Sequence, residues 1–426
     1  MIIGYVLPIM GKGKSFAIIL TGILTCFIIY NVYENHTLNN KLSSFRKNTF
    51  QILQRYEAQN KELQGLIEEM LQIRIFPSQL QNIPHADEEG ALLSVHDIEI
   101  PDVKAPYNAS ILKQGDYYSL FFRYDIPVSG EKVPFHSYVG CAQFDKDFSL
   151  VRPYLTFDTL SNYSEDARAI AIDDQNLIIY NDSIGNHKGR GIRKAQIDIE
   201  TGQVESILCF KQINFNIEKN WIPFAPDGKT LHLIYSISPH KVLKLLSPDK
   251  PVLEPVAQPD EMSILSFADW PKQWGYPKGG TPPQLVDGEY LSFFHSSFTD
   301  SKGIVWYIMG AYTFEPQAPY RITKISKYPI LFNNAYSTPH QNTAPKNVRS
   351  LYPAGLVLEN RDGKGLIHLS CGENDSTVKI LTFDKEAFMK TLKPVSPHTQ
   401  ITSGDLTDCW FLSARSKKML VQKECK

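Results

Sequence analysis

Five polar turns, each followed at once by an apolar strand, constrain this chain more than any other feature of its sequence. The turns are Gln114-Gly115-Asp116, Asp173-Asp174-Gln175, Asp227-Gly228-Lys229, Asp287-Gly288-Glu289 and Asp362-Gly363-Lys364. After them run segments 117–125, 176–183, 230–240, 289–297 and 365–375, apolar along their length and polar at their ends. The turns recur at roughly 55 to 75 residues, longer than the blade of a common propeller but within reach of one with elaborated loops. The pattern predicts an all-β fold, a five-bladed β-propeller whose polar strand ends line a single pocket.

Composition narrows the ligand. The 426 residues are 42% hydrophobic and 12% aromatic, enough for a large core. Lys plus Arg (44) nearly cancels Asp plus Glu (45), so no net field steers the chain toward nucleic acid. A neutral small molecule or a sugar fits better. The six cysteines include no C-x-x-C pair, so neither zinc nor a redox motif is indicated, and no metal or cofactor is expected. One late disulfide, Cys409 with Cys425, is a candidate pairing.

The front of the chain reads differently. Behind a short segment at 1–14, residues 15–33 form a nearly uncharged stretch of the length a bilayer-crossing helix needs, with Lys12 and Lys14 ahead of it. The expectation is a single-pass membrane protein, its N-terminus cytoplasmic and its remaining domains luminal or extracytoplasmic. A cleaved signal peptide is the rival, disfavoured because no small-x-small cleavage site follows. In segment 34–77, Phe45, Thr49, Ile52, Tyr56, Gln59, Leu63, Leu66, Met70 and Ile73 step by fours and threes, the seam of a helical stalk. Such a stalk pairs as a homodimeric coiled coil or docks on its own globular domain. Pro77 ends it, 78–100 reads as a linker, and 101–426 as the propeller. Five Asn-x-Ser/Thr sequons occur, of which Asn35 alone has an evidently accessible context.

Several segments carry possible chemistry. Glu165-Asp166-Ala167-Arg168 sets two carboxylates beside a cation, which suits an acid in a pocket if Asp166 points inward and Glu165 elsewhere. A surface turn with a local ion pair is the plainer alternative. Lys219-Asn220-Trp221 joins a charge, an amide and an aromatic ring, the groups that hold sugars. Lys278-Gly279-Gly280-Thr281-Pro282-Pro283 offers an ammonium and a rigid loop to a phosphate or sugar oxygen, without Walker spacing. His240 and His295 end the third and fourth strands; they would need a third ligand to bind metal, and hydrogen-bonded histidines are commoner. Asp375 can grip two sugar hydroxyls or cap a turn.

Taken in order, these segments resemble the family 130 glycoside phosphorylases, five-bladed propellers acting on β-mannosides, and their mannosyltransferase relatives. The resemblance runs from about Asn108 to about Lys379. Asn108-Ala109-Ser110-Ile111 stands where that family has Asn-Pro-x-hydrophobic, and Glu165-Asp166-Ala167-Arg168 matches its Glu-Asp-Pro-Arg with alanine for proline. Lys219-Asn220-Trp221 is similar to its basic-Asn block, Lys278 to Pro283 to its Gly-rich double-proline segment, and Phe294-His295 to its Tyr-His strand end. Tyr352-Pro353-Ala354-Gly355-Leu356 and Cys371-Gly372-Glu373-Asn374-Asp375 match the late motifs. One departure stands out: the family's arginine at the end of the third-blade strand is missing, with Tyr235-Ser236-Ile237-Ser238 in its place.

The resemblance implies inverting glycosyl transfer with one enzymic acid. Asp166 would protonate the departing oxygen through a sugar hydroxyl while phosphate or an acceptor hydroxyl attacks from the opposite face. Lys219 and Lys278, with Arg168, would bind phosphate or sugar phosphate, and Asn108, Asn220, His240, His295 and Asp375 would hold the sugar. Arg123 and Asp125 would complete the pocket rim. The expected partners are an oligosaccharide or glycan and phosphate or a sugar phosphate. An anchored stalk favours a glycan-building transferase over a catabolic phosphorylase. A hydrolase would need a water-activating base among Glu165, Glu218 and Glu373, and a non-catalytic sugar-binding propeller is the non-enzymatic alternative.

Overall fold

The computed structural model describes residues 13–73, 76–131, 133–184, 189–210, 217–340 and 346–396. The segment 1–12 and the pairing of Cys409 with Cys425 lie outside them, while Cys209 is disulfide-bonded. The chain divides into two compact units, Met1–Ile75 and Phe76–Lys426.

The first unit holds one helix, α1 (Gly13–Ile73), of 61 residues. Among the described residues no helix is long and apolar enough to cross a membrane, which corrects the anchor at 15–33 and the single-pass localisation. The helix continues unbroken into Glu34 and His36. Phe45, Ile52 and Tyr56 of the expected seam are exposed on the single chain.

The second unit is all-β in its main body, and its strands fall into antiparallel groups. β1 (Leu92–Ile98) comes first, inside the segment expected to be a linker. A four-stranded sheet follows: β2 (Tyr107–Gln114), β3 (Tyr117–Pro127), β4 (Phe135–Phe144) and β5 (Leu150–Thr156). The next holds β6 (Glu165–Ile172), β7 (Gln175–Ile184), β8 (Gly189–Ile197) and β9 (Val204–Cys209). A third holds β10 (Ile222–Phe224), β11 (His232–Ser236), β12 (Lys241–Ser247) and β13 (Lys250–Pro255). The fourth group is β14 (Lys278–Gly279), β15 (Gln284–Val286), β16 (Glu289–Thr299), β17 (Val305–Phe314) and β18 (Ile322–Ser326). The fifth is β19 (Val348–Arg361), β20 (Lys364–Glu373) and β21 (Thr377–Asp384), after which come α2 (Lys385–Lys390) and β22 (Leu392–Pro394).

A short parallel pairing of β17 with β19 merges the fourth and fifth groups into one ten-stranded sheet. β1 returns to pair with β21 as the outer strand of the fifth group, and β22 with β18 as an outer strand of the fourth.

The five sequence turns are the hairpins that open each group. Asp287-Gly288 (φ 49° and 89°) and Asp362-Gly363 (φ 53° and 79°) put two consecutive residues in the left-handed region, the geometry of a tight two-residue hairpin. Asp227 closes its own turn by accepting the N–H groups of Lys229 (3.0 Å) and Thr230 (2.7 Å). Of the strands after the turns, β3, β7, β11 and β20 are the second of their groups, and β16 follows β14 and β15, which both pair with it. The centres of the strands after the turns are buried on both faces, so they read as apolar runs without alternation, whereas the outer strand β5 alternates.

Neighbouring groups bury one another's faces in cyclic order. One cluster joins the fifth and first groups through Ile98, Ile111, Phe122 and Ile380; another joins the first and second through Phe121, Val139, Ala169 and Ile178. Ile179, Trp221, Leu233 and Leu243 join the second and third, and the largest cluster joins the third, fourth and fifth.

Candidate functional site

A recurring backbone device aims the site residues. In β2, Tyr107 pairs with Arg123 and Ser110 with Phe121; in β6, Glu165 pairs with Asn181 and Arg168 with Ile179. In each strand two residues, Asn108-Ala109 and Asp166-Ala167, stand against one partner, which is a β-bulge. Asn108 (φ 49°) and Asp166 (φ 53°) occupy the left-handed position, as does Asn220 (φ 64°) just before β10. Asn and Asp tolerate that conformation better than other residues with a Cβ, so the bulges keep short polar side chains there. The Asp166 bulge also breaks the strand's alternation. Glu165, expected to point elsewhere, joins Asp166 at the site.

Glu165 forms ion pairs with three cations and is almost wholly buried. Arg123 Nη2 lies 3.3 Å from it and Lys219 Nζ 3.0 Å, and Arg190 Nη2 is in direct contact. Asp166 Oδ1 accepts the Asn108 side-chain amide at 2.9 Å and lies 3.8 Å from Arg123 Nη1. Asp125 fixes Arg123 from the other side, accepting its Nε at 3.0 Å and its Nη2 at 3.2 Å, along with the Tyr107 hydroxyl at 2.7 Å and the Ser137 hydroxyl at 2.7 Å. Arg168 donates to the Asp166 carbonyl (2.7 Å) and to that of Gly280, and its Nη2 is buried. Tyr352 ties the other flank: its ring lies 5.1 Å from the Arg168 guanidinium and 4.5 Å from the His295 ring, and its hydroxyl donates to Asn220 Oδ1 at 2.5 Å.

These contacts set the protonation states. Burial would raise the Asp166 carboxyl, but Arg123, Lys219, Arg168 and the Asn108 amide together hold it below the usual carboxylate range. Asp375 goes the other way: burial, with the charges of Asp166 and Asp125, pushes it up to about 6 against Arg123 and Lys219. Burial brings Lys219 down to about 8, with Arg190 and Arg123 adding to the shift and Asp166 opposing it. His295, buried and facing Lys278 and Arg168, falls to about 3 and is neutral at any ordinary pH.

Asn108, Arg123, Asp125, Asp166, Arg168, Lys219, Asn220, His295 and Asp375 are therefore linked by contact or by charge, and Lys278 is exposed opposite His295 in the β14–β16 register. His240 is a correction. Its Nδ1 bonds the Tyr320 carbonyl at 2.8 Å and its ring packs 4.9 Å from Phe314, so it belongs to the core, not to the sugar site. The three candidate water-activating glutamates are otherwise engaged. Glu165 faces its cations, Glu218 accepts the Trp221 indole N–H at 3.3 Å, and buried Glu373 takes the backbone N–H groups of Tyr336 (2.5 Å) and Thr338 (3.1 Å). Sequons at Asn108, Asn181 and Asn374 are buried. Sequence reasoning missed Tyr107, Arg190, Ser137 and the linking role of Tyr352. The signal for Tyr352 was present in its motif, whereas Arg190 sits in no motif. No group of three or more His, Cys, Asp or Glu residues placed to hold a metal ion occurs among the described residues.

No family model matches the sequence, and no curated protein matches it. Solved structures are similar in fold. A β-1,2-mannobiose phosphorylase from Listeria innocua is 14% identical, covering 72% of this chain and 98% of its own, with a TM-score of 0.46. A GDP-Man-dependent mannosyltransferase from Leishmania mexicana is 15% identical, covering 70% and 92%, with a TM-score of 0.44. A mannose phosphorylase from the same organism, in complex with phosphate ion, is 13% identical over 75% and 96%, with a TM-score of 0.44.

Proposed function

We propose that the protein is a carbohydrate-active enzyme that transfers a glycosyl group, by motif resemblance a β-mannosyl group, with inversion onto a glycan hydroxyl, and that its five strand groups are the blades of a five-bladed β-propeller. The observation that supports this direction is the setting of Asp166, whose Oδ1 accepts the Asn108 amide at 2.9 Å and lies 3.8 Å from Arg123 Nη1, contacts that favour the carboxylate. In transfer from a sugar phosphate, the acceptor oxygen attacks C1, its proton passes to a carboxylate, and the C1–O electrons leave on the phosphate oxygen. An aspartate held below the usual range is ready to take that proton. The departing phosphate needs cations and no proton, and Lys219, Lys278 and the Arg168 guanidinium are suited to supply charge. Asn108, Asn220 and Asp375 hold the sugar in this reading.

Phosphorolysis is the same path reversed and would require Asp166 to start protonated, which the surrounding cations oppose. Mannose 1-phosphate and nucleotide-linked mannose, offered with simple glycan acceptors, separate the readings if phosphate and nucleotide release are followed independently. Release that depends on acceptor and is lost in Asp166→Asn supports transfer. Release without acceptor points to hydrolysis, and sugar binding without any release would reduce the protein to a binding module.

A further inference from the structure

A cavity opens on the loop that leads into β6. It is open to solvent, offers about 370 Å³, within the size of small-molecule sites, and is lined by Tyr138 and by loop residues 156–162. None of its lining residues is cationic. The cavity therefore does not suit phosphate or a sugar phosphate.

Its chemistry is that of a neutral sugar. Tyr138 is half-buried, tilted 5.6 Å from Tyr124, which lies 6.1 Å from Tyr154, giving a partly exposed aromatic surface for C–H faces. Around it, Thr156, Asp158 and Asn162 are exposed. One Asp158 oxygen accepts the Leu160 N–H at 3.0 Å, and its other oxygen has no partner among the described residues. Leu160 itself is 80% exposed and sits at φ 58°, a left-handed conformation that a leucine rarely adopts.

The loop is built, not loose. Thr159 and Ser164 share a hydroxyl contact of 2.7 Å, and Ser161 donates at 2.6 Å to Asp182, a fully buried carboxylate paired with Arg193. Ser137 joins the loop to the centre: its N–H donates to the Asn162 carbonyl at 2.8 Å while its hydroxyl holds Asp125. Asn162 is four residues from Asp166, a separation of at most about 14 Å.

From this placement we infer that the cavity is an acceptor-side subsite that stacks a neutral hexose unit of the glycan on Tyr138 and takes its hydroxyls on Asp158 and Asn162. The inference rests on the glycosyl-transfer reading above. The test is calorimetric binding of β-linked manno-oligosaccharides of two and four units. The tetraose should bind the wild-type chain about tenfold more tightly than the biose, the effect of one stacked sugar. That ratio should fall to near one in Tyr138→Ala and in Asp158→Ala, with biose affinity unchanged, while Tyr138→Phe keeps most of it. A ratio preserved in both alanine variants, absent in the wild type, or lost together with biose binding overturns the subsite and leaves the transfer reading standing. Absence of all saccharide binding to the wild type overturns both.

Discussion

Replacing Asp166 with Asn tests the centre most directly. The amide keeps the size of the side chain and an oxygen that can accept the Asn108 N–H, now at 2.9 Å, so the bulge has no steric reason to change. What is lost is the charge. In the wild type Arg123, Arg168, Arg190 and Lys219 face Asp125, Glu165, Asp166 and Asp375; in the variant the same four cations face three carboxyl groups. A positioned general base contributes about 10²- to 10⁴-fold, or roughly 3 to 5 kcal/mol of barrier, and transfer should fall by that factor. A second consequence is independent of turnover. Because the Asp166 charge helps hold Asp375 at about 6, its removal should move the Asp375 titration downward. Initial rates with saturating donor and acceptor give the first quantity, and carboxyl-carbon NMR against pH gives the second. Activity within twofold of wild type would refute Asp166 as the base, and an unmoved Asp375 titration would refute the electrostatic account.

Asp375→Asn should separate stability from function. The folded protein keeps this proton up to about pH 6 where the unfolded chain loses it near 3.8, so the native state binds more protons in that window and stability falls as pH rises through it. The penalty above pH 6 is at most about 3 kcal/mol at about 1.36 kcal/mol per unit, and the variant should recover part of it in urea melts at pH 7.5 while losing sugar affinity. A variant no more stable than wild type at pH 7.5 counts against the burial argument. Gly372→Ala acts at one remove: its Cβ would meet the Asn108 Oδ1, so the amide that serves Asp166 must shift. Transfer should drop at least tenfold in kcat with a smaller change in KM, and unchanged kinetics would show that Asn108 does not position the carboxylate.

The strand after each turn was legible because its centre is buried on both faces, as in β20 after Asp362-Gly363. The first strands were harder. β10 and β14 are short, and β2 and β6 carry bulges that erase the two-residue period on which strand reading depends. The same irregularity explains the misreading of Glu165, whose neighbour at φ 53° swings both carboxylates to one side. Arg190 was invisible for another reason: it reaches Glu165 from β8, two strands away, and only the register of the sheet reveals the approach. His240 shows the converse, since a polar residue at the expected strand end was tied through Nδ1 to a backbone carbonyl in the core. At the front, an apolar stretch and a heptad-like seam turned out to be parts of one continuous helix.

The pairing of β1 with β21 has an implication for how the second unit is made. Its last group contains residues separated by almost the whole of the domain, Leu92 to Ile98 against Val378 to Phe383, with Lys379 salt-bridged to Asp97 across the join. During synthesis β1 emerges first and must wait, its edge unpaired, until the final hairpin of the domain has left the ribosome. A fragment lacking β1 would leave the fifth group short of its outer strand, whereas one lacking β21 would also leave β1 without its partner.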